Sequence, residues 1–242
     1  MAQYFPKQEA TMAALVDSST RSYPRSYQGL TASIEFQQKE QGLTARIVTE
    51  RLEMVSIVHD EETLGLYAGL FNNKDVCQFY GTHQPWGTKA EAEAAEKPWT
   101  VAEKVNMWAT RWQQSNPYSA FTVWNRETKA FVGHAVVGLD TEPGYAQIAG
   151  AGYPEYWQQG YGAEAMAALL EYTAAAHASG HPINGVPLQG VRATASPENT
   201  ASITILQRLM VHEGSFTNSS GHPKERYVLK VEGGDRILPQ VT

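Results

Sequence analysis

The sequence predicts an α/β sandwich built on a mixed, mainly antiparallel sheet flanked by helices, on three observations. A hairpin pattern runs from Ala120 to Leu139, with Asn125-Arg126-Glu127-Thr128-Lys129 as its polar turn. A glycine-bracketed turn, Gly160-Tyr161-Gly162, leads straight into an apolar, alanine-rich helix. The strand signals before this turn are those of antiparallel hairpins, not of a repeating parallel βα unit.

The elements follow in order. Residues 1–43 are polar and poorly periodic and read as an extension with one short helix near 9–16. The compact domain is expected to begin near Thr44, with a first strand between Ile47 and Val58. Asp60-Glu61-Glu62-Thr63 supplies a cap and an acidic first turn, followed by Leu64, Tyr67, Ala68 and Phe71 at helical spacing. Val101, Val105, Trp108 and Trp112 repeat that spacing in a second helix, where an aromatic stripe reads as core. After the hairpin, Ala146–Gly150 is a short strand leading to the glycine turn. The next helix carries Met166, Leu169, Leu170, Thr173, Ala174 and His177 and stops at Gly180. A Pro/Gly loop fills 181–190, and Val191–Ala195 is a strand. Ser196 is placed at a helix cap with Pro197 at the first helical position, ahead of a buried stripe of Ile205, Leu206, Leu209 and Met210. Arg226–Val231 closes the sheet, and residues from Glu232 read as a tail.

Composition narrows the function. The 242 residues carry 19 Lys+Arg against 25 Asp+Glu, a formal charge of −6, with no basic cluster. Nucleic-acid binding is therefore not expected. Cys77 is the single cysteine, so no intramolecular disulfide and no cysteine-based zinc site can form, and it reads as a small buried hydrophobe. The first residues lack the basic-then-apolar pattern of a signal peptide, and no apolar run approaches the ~18 residues of a membrane span. A cytoplasmic protein, monomer or homodimer, with no metal and no membrane partner is the expectation.

The chemistry sits in Tyr156-Trp157-Gln158-Gln159-Gly160-Tyr161-Gly162-Ala163-Glu164-Ala165-Met166. A turn of this kind at a helix start leaves backbone N–H groups aimed at one point, backed by the helix dipole, and so favours a phosphate or pyrophosphate. Gly160 to Ala165 fits the G-x-G-x-x-A form of a dinucleotide fingerprint, which would make the protein a nicotinamide-dependent oxidoreductase. Its context argues otherwise. The preceding strand ends near Gly150 with Pro154 between, hairpin strands come before it, and Val191–Ala195 ends without an acidic residue for a ribose.

The same stretch resembles the coenzyme A pyrophosphate loop of the GCN5-related N-acetyltransferase (GNAT) superfamily, and is most similar to its RimJ/RimL-type branch. Ser196-Pro197-Glu198-Asn199-Thr200-Ala201-Ser202 resembles that branch's Asn-x-x-Ser helix start, and Thr49-Glu50-Arg51-Leu52 its common opening. The likeness covers about residues 44–231. It implies a splayed parallel strand pair, formed here by the strand before the loop and Val191–Ala195, with acetyl-CoA in the opening. It further implies that Gln158, Gln159, Gly160, Tyr161, Gly162 and Ala163 hold the pyrophosphate. Free backbone groups around Gly150–Tyr153, including Gly152 and Tyr153, would then pair with the pantetheine arm like an added strand.

Acetyl transfer requires an amine that loses a proton, a polarised thioester carbonyl and a stabilised thiolate. The resemblance assigns Asn199 to the pantetheine region and Ser202 to a donor near the sulfur; as residues they equally read as helix-capping groups. Where many relatives carry a glutamate before the loop, this chain carries Gln147, which orients water but takes no proton. Asp140, Glu142 and His134 are the remaining candidates for the base, His134 reading as a strand residue on a partly exposed face. Tyr80, His83, Trp86 and Trp99 fall where the family walls its acceptor site, and are open between lining a pocket and packing the helices. The expected function is acetyl-CoA-dependent transfer to a primary amine, of a small molecule or a protein N-terminus. The alternative is a non-catalytic acyl-CoA-binding module, motivated by Gln147.

Overall fold

A computed structural model describes residues 21–22, 32–80, 85, 100–219, 221–232 and 236–237. Among the described residues, eleven strands form one sheet: β1 (Arg21–Ser22), β2 (Ser33–Lys39), β3 (Gly42–Val48), β4 (Leu52–Ser56), β5 (Ala120–Asn125), β6 (Phe131–Leu139), β7 (Tyr145–Gly152), β8 (Gly190–Ala195), β9 (Val211–Thr217), β10 (Pro223–Glu232) and β11 (Arg236–Ile237). They lie in sequence order up to β8, then β10 and β11, with β9 paired to the other edge of β10. Every pairing is antiparallel except β7 with β8. The mixed sheet predicted from the sequence is therefore observed, with its one parallel pair where the resemblance puts it.

The N-terminal half of the sheet corrects the reading of a single strand from Ile47 to Val58. The chain turns at 49–51, so β3 and β4 are two antiparallel strands, with Ile47 opposite Met54. Upstream, Ser33–Lys39 pairs along the whole of β3, and Ile34 and Leu43 are buried. The sheet thus extends through Thr44 into what reads from the sequence as an extension. At the other end, Arg236–Ile237 pairs with β10. The helix expected near 9–16 lies outside the described residues.

Helices cover both faces. Asp60 caps α1 (Glu61–Asn72) by accepting from the Thr63 N–H at 2.8 Å, as its sequence predicts. A single turn, α2 (Lys74–Cys77), follows. Thr100 and Glu103 form a reciprocal capping box on α3 (Val101–Gln113), whose Val101, Val105, Trp108 and Trp112 are all buried. On one face of the sheet, Tyr67 of α1 and Trp108 of α3 pack against His134 of β6. On the other, α4 (Tyr161–Ala178) lies along β6 and β7, with Tyr172 against Phe121 at 4.9 Å between ring centres. Its Ala167, Ala168, Ala175 and Ala176 are buried, and their small size lets the helix sit close to the strands.

The last helix, α5 (Thr200–Leu209), begins later than its sequence suggests. Asn199 is the cap, its Oδ1 accepting from Ser202 N at 3.1 Å, whereas Ser196 directly follows β8 and accepts from Lys224 Nζ at 2.8 Å. Asn199 wins because its side chain reaches the third N–H of the helix from a non-helical backbone position. Of the expected stripe, Leu206, Leu209 and Met210 are buried, while Ile205 is half-buried against Gly162 of α4. Among the described residues, no helix is long and apolar enough to cross a membrane.

Candidate functional site

The parallel ladder is short. It runs through Tyr145↔Gly190, Ala146↔Val191 and Gln147↔Arg192 and stops there, although β7 continues to Gly152 and β8 to Ala195. Beyond this vertex the strands part, leaving one edge of each without the other.

Which groups line that opening follows from the β6 register. Asp140 N donates to Tyr145 O at 3.0 Å and Tyr153 N to Val132 O at 3.0 Å. Odd-numbered residues of β7 thus bond to β6, and the alternation of an antiparallel ladder turns Gly150 and Gly152 the other way, into the opening. This sharpens the expectation of free groups around Gly150–Tyr153. The Tyr153 N–H is committed to Val132, and the Gly152 carbonyl accepts from the indole Nε1 of Trp157 at 2.7 Å. The N–H and C=O of Gly150 and the N–H of Gly152 remain facing the wedge.

The chain then makes a single 3₁₀ turn, Pro154–Tyr156, and the glycine turn. Gln158 sits at φ +59° and Gly160 at φ +83°. The second conformation belongs to glycine, and a Cβ there would also meet Arg51 at 3.1 Å. No backbone N–H from Gln158 through Ala163 donates to a protein acceptor among the described residues, while Glu164 N closes the first helical bond to Gly160 O. These N–H groups stand at the positive end of the 18-residue α4, the arrangement that holds a phosphate. Gln158, Gln159, Gly160, Tyr161, Gly162 and Ala163 are thus brought together as one cradle.

Arg51 fastens the cradle from the far side of the chain. Its Nε donates to Glu164 Oε2 at 2.7 Å, its Nη1 to the Gln159 carbonyl at 2.7 Å, and its guanidinium lies 4.5 Å from the centre of the Tyr161 ring. Glu164 is buried and also accepts from Thr49 Oγ1 at 2.5 Å and Arg51 N at 2.9 Å. The Thr49–Leu52 motif and the turn motif are thus two halves of one contact. The second motif helix reaches the same place: a Cβ on Gly162 would lie 3.2 Å from Ile205 Cδ1. Asn199 spends its Oδ1 on the α5 cap, and Ser202, half-buried in that helix's first turn, has no protein partner for its hydroxyl among the described residues.

At the vertex, Gln147 is exposed. Beside it Arg192 is buried on β8, 3.8 Å over the Tyr145 ring. Its guanidinium meets Glu142 Oε2 at 2.6 Å, Glu213 at 3.0 Å and Asp140 Oδ1 at 3.5 Å. Burial alone would lower the Arg192 pKa, but the hydrogen bonds it donates to Glu213 and Glu142 carry it above the ordinary value. Asp140 and Glu142, both read as candidate bases, are therefore ion-pair partners of one cation. An isolated Arg in the apolar strand Val191–Ala195 was the signal for this cluster, and the sequence reading passed over it.

His134 is not on a partly exposed face. It is 2% exposed, packed at a tilt on Trp108 at 4.6 Å between ring centres and ringed by the edges of Tyr67, Phe71 and Tyr80. Burial, and then the nearby Lys104 charge, push its pKa down to about 3. The Tyr67 hydroxyl lies 3.1 Å from Phe121 O and 3.0 Å from His134 Nδ1, bridging the imidazole to the β5 backbone. Nε2 is left with no hydrogen-bond partner. Tyr80 belongs to this aromatic cluster, stacked on Phe71 at 5.2 Å. His83, Trp86 and Trp99 lie outside the described residues. Among the described residues, no group of His, Cys, Asp and Glu could hold a metal ion.

The chain matches the family model for the acetyltransferase (GNAT) domain over residues 51–210. A GNAT-family acetyltransferase from Bacillus anthracis superposes with a TM-score of 0.57 at 20% identity, covering 76% of this chain and 98% of that one. The ribosomal-protein-S5-alanine acetyltransferase of Vibrio fischeri gives 0.56 at 15% identity, with 80% and 99% covered. The spermidine N-acetyltransferase of Vibrio cholerae, solved with CoA and spermine, gives 0.53 at 16%, with 74% and 95% covered. At these identities the likeness is one of fold. No protein of curated function matches the sequence.

Proposed function

The chain belongs to the GNAT acetyltransferase family, an acyltransferase enzyme family, and from that premise we propose that it moves an acetyl group from acetyl-CoA directly to a primary amine. The observation that carries this reading is the end of the β7–β8 ladder at Gln147↔Arg192, directly upstream of a turn whose N–H groups are unspent. Gln158–Ala163 would hold the pyrophosphate, and Gly150 with the Gly152 N–H would pair with the pantetheine arm. Asn199 would reach the same arm, and the Ser202 hydroxyl would donate to the departing thiolate.

In the transfer, the amine nitrogen bonds to the carbonyl carbon, the carbon–sulfur bond breaks, and the amine's proton leaves to solvent. Gln147 would orient the water that accepts this proton, because the carboxylates at the vertex, Asp140, Glu142 and Glu213, are occupied by Arg192. That same occupation favours a second reading, an acyl-CoA-binding module without turnover. The RimJ/RimL-type branch is part of the proposal, and protein N-termini and small amines are both acceptor candidates.

Thermal-shift titration tests the cofactor: stabilisation by acetyl-CoA and not by NAD(H) is expected, and no response to acetyl-CoA would overturn both readings. Thiol release from acetyl-CoA across an amine panel then separates the enzyme from the binding module.

A further inference from the structure

We infer that Trp157 is a positioning residue for the cofactor, setting where the pantetheine arm begins to pair with β7; this rests on the acetyl-CoA reading above. Among the described residues it is an exposed large apolar side chain, at 46%, in a chain whose other described tryptophans are buried or half-buried. Exposure of an indole costs burial energy that most tryptophans recover. Here the ring is held outside by one polar bond, Nε1 to the Gly152 carbonyl at 2.7 Å.

That carbonyl is not an arbitrary acceptor. The β6 register turns it into the opening between β7 and β8, where a strand-like ligand would otherwise find it. With Trp157 on Gly152, the first carbonyl open to an incoming amide N–H is that of Gly150. The indole therefore removes one register from the ladder, and an arm laid along β7 can pair in only one frame. An arm slipped by two residues onto Gly152 would hold the thioester short of the vertex at Gln147↔Arg192, so the frame decides whether the reacting carbon is presented there.

The same bond also fixes the cradle. Trp157 N donates to Pro154 O at 3.1 Å, Tyr156 N to Tyr153 O at 3.0 Å, and Gln159 Nε2 to Glu155 O at 2.5 Å. These bonds tighten the turn within itself, whereas the indole ties it back to the end of β7. Between them they hold Gln158 in its left-handed conformation immediately before the free N–H groups.

The experiment compares wild type, Trp157→Phe and Trp157→Gln for CoA affinity by calorimetric titration and for steady-state kinetics. Phe keeps an aromatic ring without the N–H, and Gln keeps an N–H donor without the ring. Loss of one such hydrogen bond predicts a three- to tenfold weaker Kd for CoA in Trp157→Phe, on the order of its net strength. The KM for acetyl-CoA should rise with it, kcat should fall several-fold because slipped frames hold the thioester away from the vertex, and Trp157→Gln should recover much of both. Both variants should melt as wild type does, because the ring is exposed. Unchanged CoA affinity in Trp157→Phe, or no recovery in Trp157→Gln, would overturn the inference while leaving the cofactor reading intact. Failure of the wild-type chain to bind CoA would overturn the cofactor reading and this inference with it.

Discussion

Arg51 and Glu164 meet at 2.7 Å across 113 positions of sequence, and their contact joins the β3–β4 turn to the first turn of α4. The carboxylate is buried and accepts from Arg51 Nε, Arg51 N and Thr49 Oγ1, so its charge is matched by donors from one short segment. The same guanidinium reaches the Gln159 carbonyl, and the cradle is thereby held by a residue outside it. Arg51→Ala should destabilise the fold by about 1–3 kcal/mol; the upper range for breaking a buried pair is discounted because the arginine side chain is 41% exposed. Denaturant unfolding reads that loss. Acetyl-CoA affinity should fall as well, and wild-type affinity in a destabilised Arg51→Ala would show that the contact serves stability alone.

His134 makes stability depend on acid. Its folded pKa of about 3 lies below the ordinary value of 6.5, so the fold prefers the neutral ring. The unfolded chain takes up a proton as pH falls through 6.5, and the contribution is lost progressively from there down to about pH 3. At pH 5 the loss amounts to about 2 kcal/mol. The charged neighbour is Lys104, whereas Tyr67 and Tyr80 are held neutral by burial, which raises both pKa values. Unfolding of wild type and His134→Phe between pH 7 and 4 gives the comparison. A shallower acid slope is expected for the variant, and identical slopes would remove His134 from the account.

Arg192→Ala tests the charge cluster at the vertex. Without the guanidinium, Asp140, Glu142 and Glu213 face one another at the vertex, and Asp140 has little solvent to turn to, its side chain being 15% exposed. A loss of about 2–4 kcal/mol is expected at pH 7, the lower part of the range because Glu142 is 55% exposed. Removing one carboxylate as well relieves the repulsion, so Glu213→Gln in the Arg192→Ala background should recover part of the loss in denaturant unfolding. No recovery would mean that lost packing on Tyr145, not charge, sets the cost.

What could be read along the chain was what is local. The turn from Tyr156 to Met166 carries its conformation in its own residues, and the Trp108/Trp112 stripe declares a buried helix by spacing alone. Strand β9 does neither: its residues are mostly exposed and hardly alternate, so no periodicity marks Val211–Thr217. In β2, Ile34 is the one buried residue in a polar strand, and pairing with β3 rather than composition makes it part of the sheet. His134 reads as a surface residue because the rings that cover it come from helices 26 to 67 positions away. The Arg51–Glu164 contact was visible as two separate motifs, but neither one states that it touches the other.

Gln147 offers a test of the proton path. Its exposed amide lies at the last paired position of the parallel ladder, next to Arg192. If it orients water, Gln147→Ala should lower kcat about tenfold, at the low end of what a positioned proton-transfer group contributes, with little change in the KM for acetyl-CoA. Thiol release measured against pH is the readout. An unchanged kcat would leave proton loss entirely to solvent.

Asn199 separates capping from cofactor contact, because the two uses draw on different atoms of one side chain. Its Oδ1 accepts from Ser202 N at 3.1 Å and starts α5, while a pantetheine carbonyl could be bonded only by the Nδ2 amide hydrogens. Asn199→Asp keeps the capping oxygen and loses the hydrogens; Asn199→Ala loses both. The alanine variant should therefore lose about 1 kcal/mol of stability and the aspartate variant almost none. Turnover divides them differently: if Nδ2 reaches the cofactor arm, both variants should show an acetyl-CoA KM raised several-fold, the aspartate at wild-type stability. Wild-type kinetics in Asn199→Asp would confine Asn199 to its cap, and the pantetheine contact would then have to come from the free groups of Gly150 and Gly152 alone.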